Sequence, residues 1–158
     1  MNTPIKHIIL IFSVIVLFSA CDSGRVFDQY YEIPKNGWHK DSVFNFEVPV
    51  EDSIHNHNFY IQIRNETNYP FSNVWLFVDV IYPDGEAVQD TIEVVLAEPS
   101  GKWLGKGFGG IKTRQAIYKR DVQFSIPGDL IISIRHGMRE ELLHGIHDVG
   151  FRVEKNIN

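Results

Sequence analysis

The residues most suggestive of chemistry lie in "GKWLGKGFGGIK", positions 101–112, where Gly105, Gly107, Gly109 and Gly110 alternate with Lys102, Lys106 and Lys112. A glycine-rich loop with lysines can cradle a phosphate, because small residues let backbone N–H groups approach it closely. That chemistry needs a partner element. A P-loop runs Gly-Lys-Ser or Gly-Lys-Thr into a helix, and a dinucleotide fingerprint needs a strand-turn-helix unit. Here Lys112-Thr113 leads into no helical pattern, so the sequence argues against a nucleotide site. Read as an extended strand, the run places Gly105, Gly107 and Gly109 on one face, leaving a smooth trough. Glycine is costly in a strand, so something should fill the trough: an aromatic ring of the same domain, or a partner's chain anchored by Trp103 and Phe108.

The histidines are the second set. His55 and His57 would share a strand face, and His144 and His147 lie near His136. Imidazoles at such spacing could ligate zinc or copper. No carboxylate or thiol pattern completes a ligand set, so surface histidines without metal are the simpler reading. No Gly-x-Ser-x-Gly elbow and no Cys–His pair is present, and no catalytic residue is assigned. Asp79 and Asp148 are expected to bridge or cap backbone groups rather than to transfer protons. No cofactor is called for.

The elements that must position these residues are strands. Phe44, Phe46 and Val48 alternate with polar residues, as do Phe59, Ile61 and Ile63, then Ile92, Val94 and Leu96. The same period of two recurs at Val122, Phe124 and Ile126, at Leu130, Ile132 and Ile134, and at Val149, Phe151 and Val153. Such alternation marks strands with one buried face. Val74–Tyr82 is apolar on both faces and predicts a central strand covered on both sides. Met138–His144 reads as a short helical turn. Turn signals at Pro83-Asp84-Gly85, Pro99-Ser100-Gly101 and Pro127-Gly128-Asp129 separate the runs. The expected fold is all-β: an antiparallel β-sandwich of about seven or eight strands, immunoglobulin-like or jelly-roll in topology.

Upstream lies a different kind of segment. Lys6 precedes an apolar run over 8–18 that is too short to span a bilayer, and Phe18-Ser19-Ala20-Cys21 resembles a bacterial lipobox. The expected organisation is a signal peptide over 1–20, a lipidated Cys21 with a tether over 21–37, and a single domain over 38–158. Cys21 is the sole cysteine, so lipidation leaves no thiol for a disulfide or a metal. Several acyl chains give a stable anchor. Removing Lys6 with the signal takes the formal charge from −5 to −6, which disfavours nucleic acid as a partner.

Asp41-Ser42-Val43, Asp52-Ser53-Ile54 and Asp90-Thr91-Ile92 share the form Asp, hydroxyl, apolar. This form resembles the O-glycosylation motif of exported proteins in the Bacteroidetes, which makes Ser42, Ser53 and Thr91 candidate acceptors. Together "WHKDSVFNF" (38–46), "RNETNYPFSNVWLFV" (64–78), "KWLGKGFGGI" (102–111) and "GIHDVGFRVEK" (145–155) resemble the gliding-motility lipoprotein family GldH of that phylum. The resemblance covers nearly the whole mature chain. It implies a membrane-anchored, non-enzymatic component of the gliding machinery, linked to secretion or envelope assembly, with other gliding or secretion lipoproteins as partners. No acidic pair follows Cys21, so a periplasm-facing domain is expected. The alternative class is a carbohydrate-binding sandwich, which would gather Trp38, Trp75, Trp103, Tyr60 and Tyr69 on one concave face.

Cys21→Ala is expected to abolish fatty-acid labelling and membrane retention while the β domain still folds. Label persisting on the Ala variant would contradict the lipoprotein assignment.

Overall fold

The computed structural model describes residues 24–156; the signal segment, Cys21 and the first tether residues lie outside the described part. Ten strands follow in order: β1 (Arg25–Glu32), β2 (Trp38–His39), β3 (Phe44–Val50), β4 (His57–Glu66), β5 (Asn73–Ile81), β6 (Ala87–Val95), β7 (Ile111–Val122), β8 (Gly128–His136), β9 (Leu142–Leu143) and β10 (Ile146–Lys155). They form two four-stranded antiparallel sheets, ordered β1-β10-β4-β7 and β3-β8-β5-β6, with β2 and β9 making a small third sheet. The all-β sandwich expected from the alternation is therefore the observed architecture.

The alternating residues fill the space between the sheets. Phe59, Ile61 and Ile63 of β4 and Val149, Phe151 and Val153 of β10 face Phe46 and Val48 of β3 and Leu130, Ile132 and Ile134 of β8; each is fully buried. Phe46 joins the layers: its ring lies 6.0 Å from Phe151 in the opposite sheet, 5.0 Å from Tyr31 and 6.5 Å from Phe27. Phe59 continues the seam, 5.7 Å from Phe151 and 6.0 Å from Phe124. At one end Trp38 is completely buried, donates its indole N–H to the Ser42 carbonyl and packs edge-on against Phe44.

Four expectations change. The stretch expected as a tether contains β1, which pairs along its length with β10. Phe27 and Tyr31 pack on the core while Asp28, Tyr30 and Glu32 belong to the other face, so a mixed polar and aromatic run is itself a period of two. β5 is central, between β8 and β6, but only one of its faces is covered: Val74, Leu76, Val78 and Val80 are buried, while Trp75 and Ile81 are over 40% exposed. Its outer residues are apolar because they pack laterally on the sheet, not beneath another layer. Val122, Phe124 and Ile126 do not form a strand of their own. β7 ends at Val122, just after Asp121 adopts φ 53°, and Phe124 drops its ring into the core from a loop while Ile126 is exposed. Met138–His144 holds no helix; it bends into β9, which pairs Leu142 and Leu143 with His39 and Trp38.

Two histidines belong to this core rather than to a surface. His57 is buried, its ring 5.1 Å from Phe124. His136 is buried against Trp38 and donates Nε2–H to the Trp38 carbonyl, 3.0 Å away. Burial lowers the pKa of both below the ordinary histidine value of 6.5, against a smaller opposing pull from Asp52 on His57 and from the Trp38 carbonyl on His136. Each group therefore binds its proton more readily in the unfolded chain. Their contribution is fully present above 6.5 and is lost as pH falls below it. The melting temperature should thus drop between pH 7 and about pH 5, before most carboxylates titrate. His57→Leu should flatten that slope; an unchanged slope would contradict the assignment.

Candidate functional site

The segment from Leu96 to Thr113 leaves the end of β6 and returns as β7. Its first half is a tight hairpin. The Gly101 N–H bonds the Glu98 carbonyl at 2.8 Å, the Glu98 N–H bonds the Lys102 carbonyl at 2.9 Å, and the Leu104 N–H bonds the Leu96 carbonyl at 2.8 Å. Gly101 at φ 84° allows this turn at Pro99-Ser100-Gly101. The hairpin folds Trp103 inward against the core cluster and leaves it only partly exposed.

The second half is a closed loop. Lys106 and Thr113 exchange both backbone hydrogen bonds, at 2.9 and 2.7 Å, and so clamp the six residues between them. Lys112 Nζ reaches back to the Gly107 carbonyl at 2.7 Å, and the Gly110 carbonyl accepts the Thr67 N–H at 2.8 Å. Phe108 stands at the tip with its side chain wholly in solvent, 104% exposed. The run is therefore not a strand, and Gly105, Gly107 and Gly109 line no trough. Backbone, not an aromatic ring, explains the first two: a Cβ on Gly105 would lie 3.0 Å from the Thr113 carbonyl, and one on Gly107 would lie 2.7 Å from the Ile111 oxygen. Gly109 has open space around it but takes φ 72°, which turns the chain just past Phe108. The same hydrogen bonds argue against phosphate binding. The loop's N–H groups at 106 and 113 and the Lys112 ammonium are already used within it, and a strand follows instead of a helix.

The other candidates are scattered. Ser42 is half-buried in the turn after β2, Ser53 is half-buried between β3 and β4, and Thr91 is exposed at the middle of β6. Of the aromatics a sugar groove would need, Trp38 and Tyr69 are buried, Trp75 is on β5 of one sheet and Tyr60 on β4 of the other. They share no face. His55 bonds Asp52 in a loop, at 2.9 Å, and is exposed, whereas His57 is buried. His144 and His147 line an open depression of about 350 Å³ together with Glu32, Lys35 and Glu66. Among the described residues no group of three or more His, Cys, Asp or Glu is placed to hold a metal ion.

Asp148 is almost completely buried on the outer face of the first sheet, where it accepts His147 Nδ1 at 2.8 Å and pairs with Arg64 at 3.5 Å. Arg64 in turn lies 4.0 Å over the Tyr30 ring, and Tyr30 covers Gly150, where a Cβ would meet the ring at 2.7 Å. An aromatic ring over a strand glycine does occur in this protein, then, but on β10. Alongside it Arg152 pairs with Asp28 and with Glu154, both at 2.6 Å. Sequence reasoning missed this cluster because its members meet only through strand register. Asp79, on the opposite sheet, accepts a hydrogen bond from Gln89 at 2.6 Å.

Comparison with known proteins adds the family. A sequence profile described as "GldH lipoprotein" matches residues 25–153, which is the folded domain from β1 into β10. A protein of Christiangramia forsetii named "Gliding motility lipoprotein GldH homolog" is 41% identical over 165 residues, covering 100% of both chains. One of Flavobacterium johnsoniae named "Gliding motility lipoprotein GldH" is 42% identical over 154 residues, covering 93% of this chain and 94% of that one.

Proposed function

We propose that this chain, which belongs to the GldH lipoprotein family, is a non-enzymatic docking component of the gliding-motility machinery. A lipid on Cys21 holds it to a membrane, and the sandwich faces the periplasm. Its partners are other lipoproteins of the gliding or secretion apparatus. Support for the anchor comes from the family name together with the lipobox-like Phe18-Ser19-Ala20-Cys21.

One observation carries the docking role: Phe108, a large apolar side chain, is fully exposed on a loop that is itself clamped. Exposed aromatics on pre-ordered backbone contribute disproportionately to binding, because they bury area at little entropic cost. Trp103 supports the loop from the core side, and Gly105 and Gly107 let its two limbs approach. The Lys106 side chain, exposed beside the tip, adds positive charge at the rim. Asp148 and His147 offer the nearest approach to acid–base machinery, but their bonds tie them to Arg64 in a structural ion cluster.

Phe108→Ser should leave the melting temperature nearly unchanged, within about 0.5 kcal/mol in stability, as befits a surface position. It should reduce recovery of envelope partners from native membranes by about tenfold or more. Gly107→Val, which forces a Cβ onto the Ile111 carbonyl, should have the same effect on recovery. Ile54→Ser, at another exposed apolar residue 79% accessible, serves as the control and should recover partners normally. Full recovery by Phe108→Ser would contradict the docking role.

A further inference from the structure

Each sheet of the sandwich has two edge strands, and three of the four carry devices that discourage pairing. β1 is broken by a register shift between Arg25 and Phe27, β3 contains Pro49, and β7 is irregular against β4 and carries Lys112, Arg114, Lys119 and Arg120. Bulges, prolines and cations are the usual means of blunting an edge. β6 has none of them. "AVQDTIEVV" is rich in β-branched residues, and its nine residues pair with β5 in unbroken register.

The hydrogen-bond phase of that pairing identifies which groups of β6 are free. At one end of the hairpin the Tyr82 N–H bonds the Glu86 carbonyl, and at the other the Leu96 N–H bonds the Ser72 carbonyl. Even-numbered residues of β6 therefore face β5, and the N–H and C=O groups of Ala87, Gln89, Thr91, Glu93 and Val95 point out from the sheet edge. The Val95 carbonyl agrees with this phase, since it accepts Arg114 Nε from outside at 3.3 Å. The side chains of the same five residues are all exposed.

We propose that β6 pairs antiparallel with β6 of a second copy of this chain about a two-fold axis at Thr91, joining two four-stranded sheets into one. In that register Thr91 faces Thr91, Gln89 faces Glu93, and Ala87 faces Val95. Each free edge group meets a complementary one, and the only outer end already engaged is the Val95 carbonyl. The side-chain pairing is also self-complementary. The Gln89 amide, one of whose hydrogens Asp79 holds, has a second to give to the Glu93 carboxylate, whose Oε1 accepts Asn73 and whose Oε2 is left for it; two threonines meet on the axis, and Ala87 with Val95 extends the exposed apolar strip of Ile81, which neighbours Ala87 in the sheet. Ladder length favours this register, and charge disfavours two of the alternatives. Sliding the partner two residues one way sets Asp90 against Asp90, and sliding it four residues the other way sets Glu93 against Glu93, while the Thr91-centred register alone pairs all nine residues of the strand. Asp90 stays neutralised from the inner side by Tyr118 and Lys119.

Cysteine cross-linking tests the register. Thr91 pairs across the axis at a Cα separation of about 5.5 Å, within the roughly 4.4–6.8 Å that a disulfide spans. The full chain, made in a host that does not glycosylate it and kept in membranes, is oxidised mildly; the unsubstituted protein, with Cys21 alone, is the blank. Thr91→Cys should give a dimer several-fold above the blank. Gln89→Cys and Glu93→Cys should each give none alone and a mixed dimer when co-expressed. All three sites are exposed, so circular dichroism should match the parent. No dimer from Thr91→Cys, equal yields from Gln89→Cys alone, or an adduct with a different protein in place of the dimer would each overturn the proposal.

Discussion

Phe46 and Phe151 meet between the sheets with their ring centroids 6.0 Å apart, and most of the domain is organised around that contact. β3 and β10 belong to different sheets, so this pair fixes the distance and angle at which the two layers face. Burying each ring is worth about 1.5–3 kcal/mol, and an aromatic pair adds about 0.5–1.5 kcal/mol beyond area. Tyr31 and Phe27 lock β1 onto the same ring, which closes one side of the sandwich; the Tyr31 hydroxyl then reaches the Asn45 carbonyl of β3. Phe59 and Phe124 carry the seam to the far end, where buried His57 completes it.

Because the interior is held this way, the outer surfaces are free to differ. The first sheet carries an ion and aromatic cluster built on Arg64, Asp148, Arg152 and Tyr30. The second carries a polar ladder, in which Ser133 bonds Asn45 and Gln89 bonds Asp79, next to exposed Trp75 and Ile81. The loop bearing Phe108 is attached to this frame through Trp103 but contributes no core side chain at its tip. The core and the proposed docking loop thus draw on different residues, as in a scaffold that presents a loop.

The legible part of the fold was the part governed by alternation. Residues 44–48, 59–63, 130–134 and 149–153 declare their buried face because a sheet covered on one side demands it. β5 misled for a physical reason: Trp75, Phe77 and Ile81 look like a second buried face but lie on an uncovered sheet surface. β1 was hidden by its polar residues, which face solvent while Phe27 and Tyr31 anchor it. The glycine run was found as a locus, yet its conformation was misread. A strand and a clamped loop both tolerate glycine, and only the positive φ at Gly107 and Gly109 separates them. Strand pairing, and with it the Tyr30–Gly150 cover and the free phase of β6, depends on long-range register that no local pattern encodes. Family membership was legible because its motifs are spread along the chain in order.

Amide hydrogen exchange on the full chain, compared between the parent and Phe46→Ala, tests the central claim most directly. Phe46→Ala should cost about 3–5 kcal/mol and so speed exchange in β3, β4, β8 and β10 together, by roughly a hundred-fold or more. Amides 107–110 at the loop tip should exchange fast in both proteins. Acceleration confined to β3, with β4 and β10 of the opposite sheet unchanged, would contradict a sandwich held by one shared aromatic seam.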